Sequence, residues 1–261
     1  MVISWLESLP AMVDAVLIVG GFLLLTLLLG WAVARLAPAD VRREHNDLAG
    51  FILAVIGVVY AVLLAFVVIG VWERFQAAEE RSYAEAGALQ MVYRDAGSFA
   101  GGEPVRAALR DYVNDVIVDE WPKMQSGGQS ERADRELEVV DREVRDLDVV
   151  TKAQQDVHAQ MLGGMQTALD DRDLRLSESA TGINGIMWVV LVLGAIVTVS
   201  FTYLFGFRET LMQRLMIGSL GLVIGLVLYL AVALDYPYRG SVTVGPEAFG
   251  VARESFEVIG R

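Results

Sequence analysis

Few residues in this chain have the type and spacing for chemistry. His45 and His158 are the two histidines, and there is no cysteine. Thiolate zinc sites and thiol nucleophiles are thereby excluded, and the histidines lie too far apart in sequence to suggest a shared metal. Asp170-Asp171-Arg172-Asp173 gathers carboxylates, but without the spaced oxygen ligands and glycine of a calcium loop. It reads as a solvated helix face. No GxSxG, phosphate-loop, HExxH or dinucleotide-binding signature occurs. The chain is therefore not read as an enzyme, and no metal or cofactor is expected.

What remains is chemistry of packing and of membrane position. Gly57, Ala61 and Ala65 recur at four-residue spacing, with Tyr60 and Phe66 beside them, and Gly221 and Gly225 form a GxxxG pair. Such spacing lets helix backbones approach closely, either inside one subunit or between subunits around an axis. Gly57, Tyr60, Ala61, Phe66, Gly221 and Gly225 are thus the pore or helix-packing candidates. In Asp235-Tyr236-Pro237-Tyr238-Arg239-Gly240, Pro237 stops a helix and Gly240 permits unusual dihedrals. The tyrosines suit a bilayer interface. Asp235, Pro237, Tyr238 and Gly240 form a membrane-interface turn, and Arg74 is expected at the same level. An ion pair from Asp235 to Arg74 or to Arg239 would lock that end; lining a pore mouth is the other role open to the turn.

These residues need elements to hold them. Of 261 residues, 54% are hydrophobic and 21% charged, with a net charge of −12. The apolar residues are pooled into four runs without formal charge, between Asp14 and Arg35, Asp47 and Glu73, Glu178 and Arg208, and Arg214 and Asp235. Each suffices for the roughly 20 helical residues that a bilayer requires. The first run is not read as a signal peptide, because Glu7 and Asp14 precede it without a basic residue. No ionisable side chain lies inside a span, which argues against proton relays, ion-coupled carriers and voltage sensors. A weakly selective pore needs none. The acidic balance disfavours nucleic acid.

The short connections carry Arg35, Arg42 and Arg43, and Arg208 and Arg214. By the positive-inside rule they are cytoplasmic, with both termini and the central region outside. The stretch from Trp72 to Gly182 holds 13 basic and 23 acidic residues, so most of the acidity sits there. Lys123 and Lys152 are the only lysines, a usage read as that of a GC-rich bacterial genome, hence an inner (plasma) membrane.

The central region is helical throughout. Helix formers carry the second span on to about Gly97, and Gly101-Gly102 breaks it. Pro104 opens a helix with Val105, Leu109, Val116 and Trp121 on its apolar side, ending before Pro122. Gly127-Gly128 is the next break and Ser130 a cap. One long helix then runs toward the third span, with weak points at Gly163-Gly164 or near Gly182. A short helix from Pro246 to Val258 lies on the surface. The expected fold is an all-α integral membrane protein. It has four transmembrane helices and a helical-bundle insert between the second and third, built partly from extensions of those helices. Its segments are 1–72 (first helix pair), 73–181 (bundle), 182–235 (second pair) and 236–261 (turn and short amphipathic helix).

Asn46, Gly50, Gly57, Tyr60, Phe66 and Trp72, then Glu79 and Glu85-Ala86, run along the second span and its flank. Together with Asp235-x-Pro237-Tyr238-x-Gly240 this pattern resembles the bestrophin-like family, a domain-of-unknown-function family of four-span membrane proteins. The resemblance covers nearly the whole chain. It implies kinship with bestrophins, which are pentameric anion channels, and so a homo-oligomer in the lipid bilayer that passes inorganic anions. The chain departs from bestrophins in lacking a row of neck phenylalanines and an acidic calcium clasp after the turn. The expected function is an oligomeric, anion-conducting channel. The alternative is a non-conducting scaffold or sensor whose acidic bundle binds a partner or cation.

Overall fold

The computed structural model describes residues 11–36, 46–205, 211–240 and 242–260; His45, Arg42, Arg43 and Arg208 lie outside them. Among the described residues every regular element is a helix. In chain order they are α1 (Ala11–Leu36), α2 (Asn46–Ala96), α3 (Gly102–Asp115), a π-helical turn (Val116–Glu120), α4 (Trp121–Gln125), α5 (Glu131–Arg145), α6 (Lys152–Ala180), α7 (Gly185–Thr202), α8 (Leu211–Asp235) and α9 (Glu247–Ile259). They divide into two compact units. One comprises Met1–Glu73, Gly182–Asp235 and Gly240–Val242, the other Arg74–Thr181, Tyr236–Arg239 and Thr243–Arg261.

The first unit is apolar. Helices α2, α7 and α8 are long and apolar enough to cross a membrane, and α1 contributes a shorter apolar stretch, Ala15–Leu29. Small residues set their spacing. A Cβ on Gly221 would lie 3.2 Å from Thr26 Oγ1, and one on Gly225 would lie 3.5 Å from the Val19 Cα. The GxxxG pair therefore seats α8 against α1 within one chain. The Tyr60 ring of α2 lies against Gly194 of α7, in one buried cluster with Leu64, Leu191 and Ala195.

The second unit is a helical bundle. Ala78, Ser82, Glu85, Leu89, Val92 and Ala96 of α2 are buried at three- and four-residue spacing, the stripe of an amphipathic helix. Gly163-Gly164 does not interrupt α6. A Cβ on Gly164 would come within 3.0 Å of Val92 Cγ2, so this glycine lets α6 close on α2.

Two boundaries differ from expectation. The helix after Pro104 does not stop before Pro122. A π turn intervenes, with the Trp121 N–H bonded to Val116 O, and the helix continues to Gln125. The wider turn shifts the carbonyl ladder that a proline ring would otherwise strike. The long helix expected after Ser130 is instead two. Ser130 caps α5 by accepting from the Ala133 N–H. α5 ends at Arg145, and a capping box at Thr151 and Gln154 starts α6 afresh. Of the two weak points expected, the one near Gly182 is where the chain breaks, at Thr181–Asn184 between α6 and α7.

Helix α9 does not lie free on the surface: its apolar side, with Phe249, Ala252 and Phe256, is buried in the bundle core, while Val251 and Val258 on the other side are exposed. Phe256 stacks on Tyr93 at 4.1 Å and Phe249 meets Trp121 edge-on at 5.6 Å.

Candidate functional site

The residues singled out on α2 face different ways. Tyr60 is turned into the core of its unit, and its hydroxyl has no hydrogen-bond partner among the described residues. Gly57 is half-buried with open space beside it, and Ala61 is exposed. Phe66 is 70% exposed. It belongs to a row with Val55, Val59, Val62 and Ile69, all exposed and spaced by three or four residues. This is a continuous apolar face, free of charge from Phe51 to Trp72, that no other helix among the described residues covers. Gly221 and Gly225 lie elsewhere, in the α1–α8 contact.

The turn after α8 is tied down at several atoms. Asp235 is buried, and its carboxylate accepts from the Ile183 N–H at 2.6 Å and from Trp188 Nε1 at 3.1 Å, so it holds the approach to α7. Arg74 Nη2 donates to the Thr181 carbonyl at 2.7 Å. The Arg239 guanidinium lies over the Tyr236 ring, 5.6 Å from its centroid. Tyr238 is fully buried and donates to the Ala78 carbonyl at 2.9 Å, edge-on to Trp121. Gly240 has φ +86°, the left-handed region that glycine adopts without strain.

A second constellation lies inside the bundle, and sequence reasoning missed it. Glu85 of α2, Glu120 of the π turn and Arg175 of α6 are all 0% exposed, and Arg172 is nearly so. Arg175 donates Nε and Nη2 to Glu85 at 2.8 and 3.0 Å, and Nη2 also to Glu120 at 2.8 Å. Arg172 grips the other side of Glu120 through Nε and Nη2 and reaches Asp134 at 2.6 Å. Tyr112 donates its hydroxyl to Glu85 at 2.9 Å. The rings of Trp121 and Phe249 cover the Arg175 guanidinium at 5.1 and 5.3 Å. Burial pushes the Glu85 carboxyl above the usual carboxylate range, with the neighbouring Glu120 adding to the rise against the pull of Arg175. Burial, then Glu85, hold the Tyr112 phenol well above its ordinary value.

A signal for this cluster was present. Met161, Met165, Ala168, Arg172, Arg175 and Ser179 continue one buried stripe at three- and four-residue spacing. The Asp170–Asp173 run is thus split. Asp170 accepts from Gln166, while Arg172 points inward. The step of five from Val116 to Trp121 likewise marks the π turn, whose extra residue lets Glu120 and Trp121 both face the core. His158 is structural, its Nε2 lying 2.8 Å from Val144 O and its ring edge-on to Phe99.

Comparison with known proteins adds a family and a fold. The family model described as a bestrophin-like domain matches residues 20–249. No curated protein matches the chain. Among solved structures, the chain is similar to a leucine-to-threonine variant of a bacterial bestrophin homolog from Klebsiella pneumoniae. The TM-score is 0.66 at 13% identity, covering 93% of this chain and 98% of that one. A tyrosine-to-alanine variant of the same homolog gives 0.66 at 13%, over 92% and 98%. The crystal structure of a membrane protein with a proline-to-alanine substitution gives 0.65 at 13%, over 92% and 98%. Likeness at this identity concerns the fold alone.

Proposed function

We propose, from the premise that the chain belongs to the bestrophin-like family, that it is an oligomeric membrane ion channel whose path is lined by α2. The observation that carries this reading is the uncovered apolar face of α2, Val55, Val59, Val62, Phe66 and Ile69. Brought around an axis by copies of the chain, such a face forms a hydrophobic constriction that gates by wetting. Phe66 is the widest side chain in the row and narrows the path, while Ala61 and Gly57 give room for neighbouring helices. Tyr60, Gly221 and Gly225 serve packing within the subunit. Asp235, Pro237, Tyr238, Gly240 and Arg74 hold the membrane-interface end.

In this reading α1 is the fourth span. Its 26 residues reach about 39 Å at 1.5 Å each, enough for a bilayer. The short arginine-bearing connections face the cytoplasm and the bundle lies outside a bacterial inner membrane. Cysteine labelling at Ser126 and Ala39 tests this, and labelling of Ala39 alone from outside would reverse it. Kinship with bestrophins makes inorganic anions the ions to pass.

Purified protein in liposomes should give anion flux, and Phe66→Ala should raise it several-fold. Liposomes silent to every ion and voltage would refute conduction. The acidic insert would then favour the other reading, a scaffold or sensor that binds a partner or cation.

A further inference from the structure

Within the apolar unit, α1, α7 and α8 leave a groove of about 390 Å³ between them. Leu17, Gly21 and Leu25 of α1, Trp188 and Val192 of α7 and Val232 of α8 line it. None of its nine lining residues carries a charge, and its one side-chain donor, Trp188 Nε1, is already spent on Asp235 at 3.1 Å. Leu17 and Val192 are exposed, so the groove opens outward and is not sealed in the core. A Cβ on Gly21 would meet nothing within 4 Å, so the space beside this residue belongs to the groove. One end lies at the level of the turn after α8. Val232 stands three residues before Asp235, and Trp188, in the first turn of α7, bonds that same Asp235. From Leu17 to Leu25 the groove follows α1 for about 12 Å. One leaflet is close to this depth, being half of a hydrocarbon core about 30 Å thick.

We propose that this groove binds one acyl chain of a bilayer phospholipid, with the headgroup at the Trp188–Asp235 end. The inference rests on the membrane-spanning reading of this unit and not on conduction. Polarity selects the occupant. A peptide, sugar or nucleotide would find no hydrogen-bond partner among the lining residues and would leave its own polar groups unpaired, whereas hydrocarbon has none to lose. Size argues against a second copy of the chain. Three turns of a helix about 10–12 Å across fill more than about 1,000 Å³, several times the groove. Nine residues are also fewer than half of the about 20–30 a side that a stable protein interface engages. An indole at the mouth suits the headgroup level of a bilayer, and its bond to Asp235 keeps the mouth in shape.

The test uses the full-length protein, reconstituted in dioleoyl phosphatidylcholine vesicles, extracted in a mild detergent and weighed by native mass spectrometry. Lipid that merely surrounds the helices exchanges for detergent, while lipid seated in the groove stays. Wild type should retain a bound phospholipid. Gly21→Leu, whose Cβ meets no neighbour and whose side chain takes up groove space, should retain several-fold less. Gly20→Leu is the control. Its Cβ is equally unobstructed, but Gly20 does not line the groove, so retention should match wild type. No retained phospholipid in wild type, equal retention in Gly21→Leu, or an equal loss in Gly20→Leu overturns the proposal. Should Gly21→Leu fail to fold, a photo-crosslinker decides. Val192→benzoylphenylalanine places one at an exposed position of the groove. A product heavier by one phosphatidylcholine supports the lipid site. A crosslinked dimer means that a second copy lies there and overturns it, as does a product with neither. Liposomes silent to ions count against the channel alone, because retention and crosslinking need no conduction.

Discussion

Gly194→Ala tests the packing that holds α2 in the membrane unit. The added Cβ would sit 2.6 Å from Tyr60 Cδ2 and 2.8 Å from Cε2. An unstrained carbon contact needs about 3.5–4.0 Å, so the ring must retreat by about 1 Å. It is buried in one core with Leu64, Leu191 and Ala195, so its retreat disturbs packed neighbours. Overpacking of this kind costs about 1–3 kcal/mol, and the alanine returns up to about 1 kcal/mol in helix propensity. The expected net loss is about 1–2 kcal/mol. At about 2–4 °C per kcal/mol, that is a fall of several degrees in the detergent melting temperature. Gly218→Ala, with nothing within 4 Å of its Cβ, should not lower it. Tyr60→Leu added to Gly194→Ala should recover most of the loss, because the ring that collides is gone. A Gly194→Ala protein that melts at or above wild type, or a double variant no better than the single, would refute this account.

Three other outcomes follow from the geometry. Tyr60→Phe removes a buried hydroxyl without a partner among the described residues and should stabilise the protein by about 1 kcal/mol in the same melt. Gly102→Ala places a Cβ on the Ala96 carbonyl oxygen, a backbone atom that cannot step aside; it should cost about 3 kcal/mol or more, seen as loss of the folded bundle in limited proteolysis. Phe249→Ala should cost about 3–5 kcal/mol, since the ring is fully enclosed and packs on Trp121; unaltered protease resistance of the bundle would contradict it.

Three helices long and apolar enough to cross a membrane were legible because lipid demands long charge-free runs, and such runs make up α7, most of α8 and most of the first half of α2. The length of α2 was legible too, since no proline and only the single glycine Gly87 stands between Trp72 and Gly97. The division after α5 was not, because the apolar stripe carries on past Asp146 and the break is marked only by the local Thr151–Gln154 box that starts α6. The least legible feature was the ion cluster. Charged residues are read as solvated by default, and Glu85, Arg172 and Arg175 announce themselves only when they are kept in register with the apolar stripe on either side. Gly221 and Gly225 fitted two roles equally well in sequence, and only the backbone of α1 lying alongside distinguishes them.

The bundle is discontinuous in the chain, and its core is finished by Tyr238, Phe249 and Phe256. A ribosome makes those residues last, after the helices α7 and α8. While they are still in the exit tunnel, Tyr93 and Trp121 have already been synthesised and wait without their stacking partners. Folding of this unit is therefore completed only after the final membrane helix has been translated. Chains that stop early, or that carry a bulky C-terminal fusion hindering α9, would leave these aromatic rings exposed to chaperones and proteases.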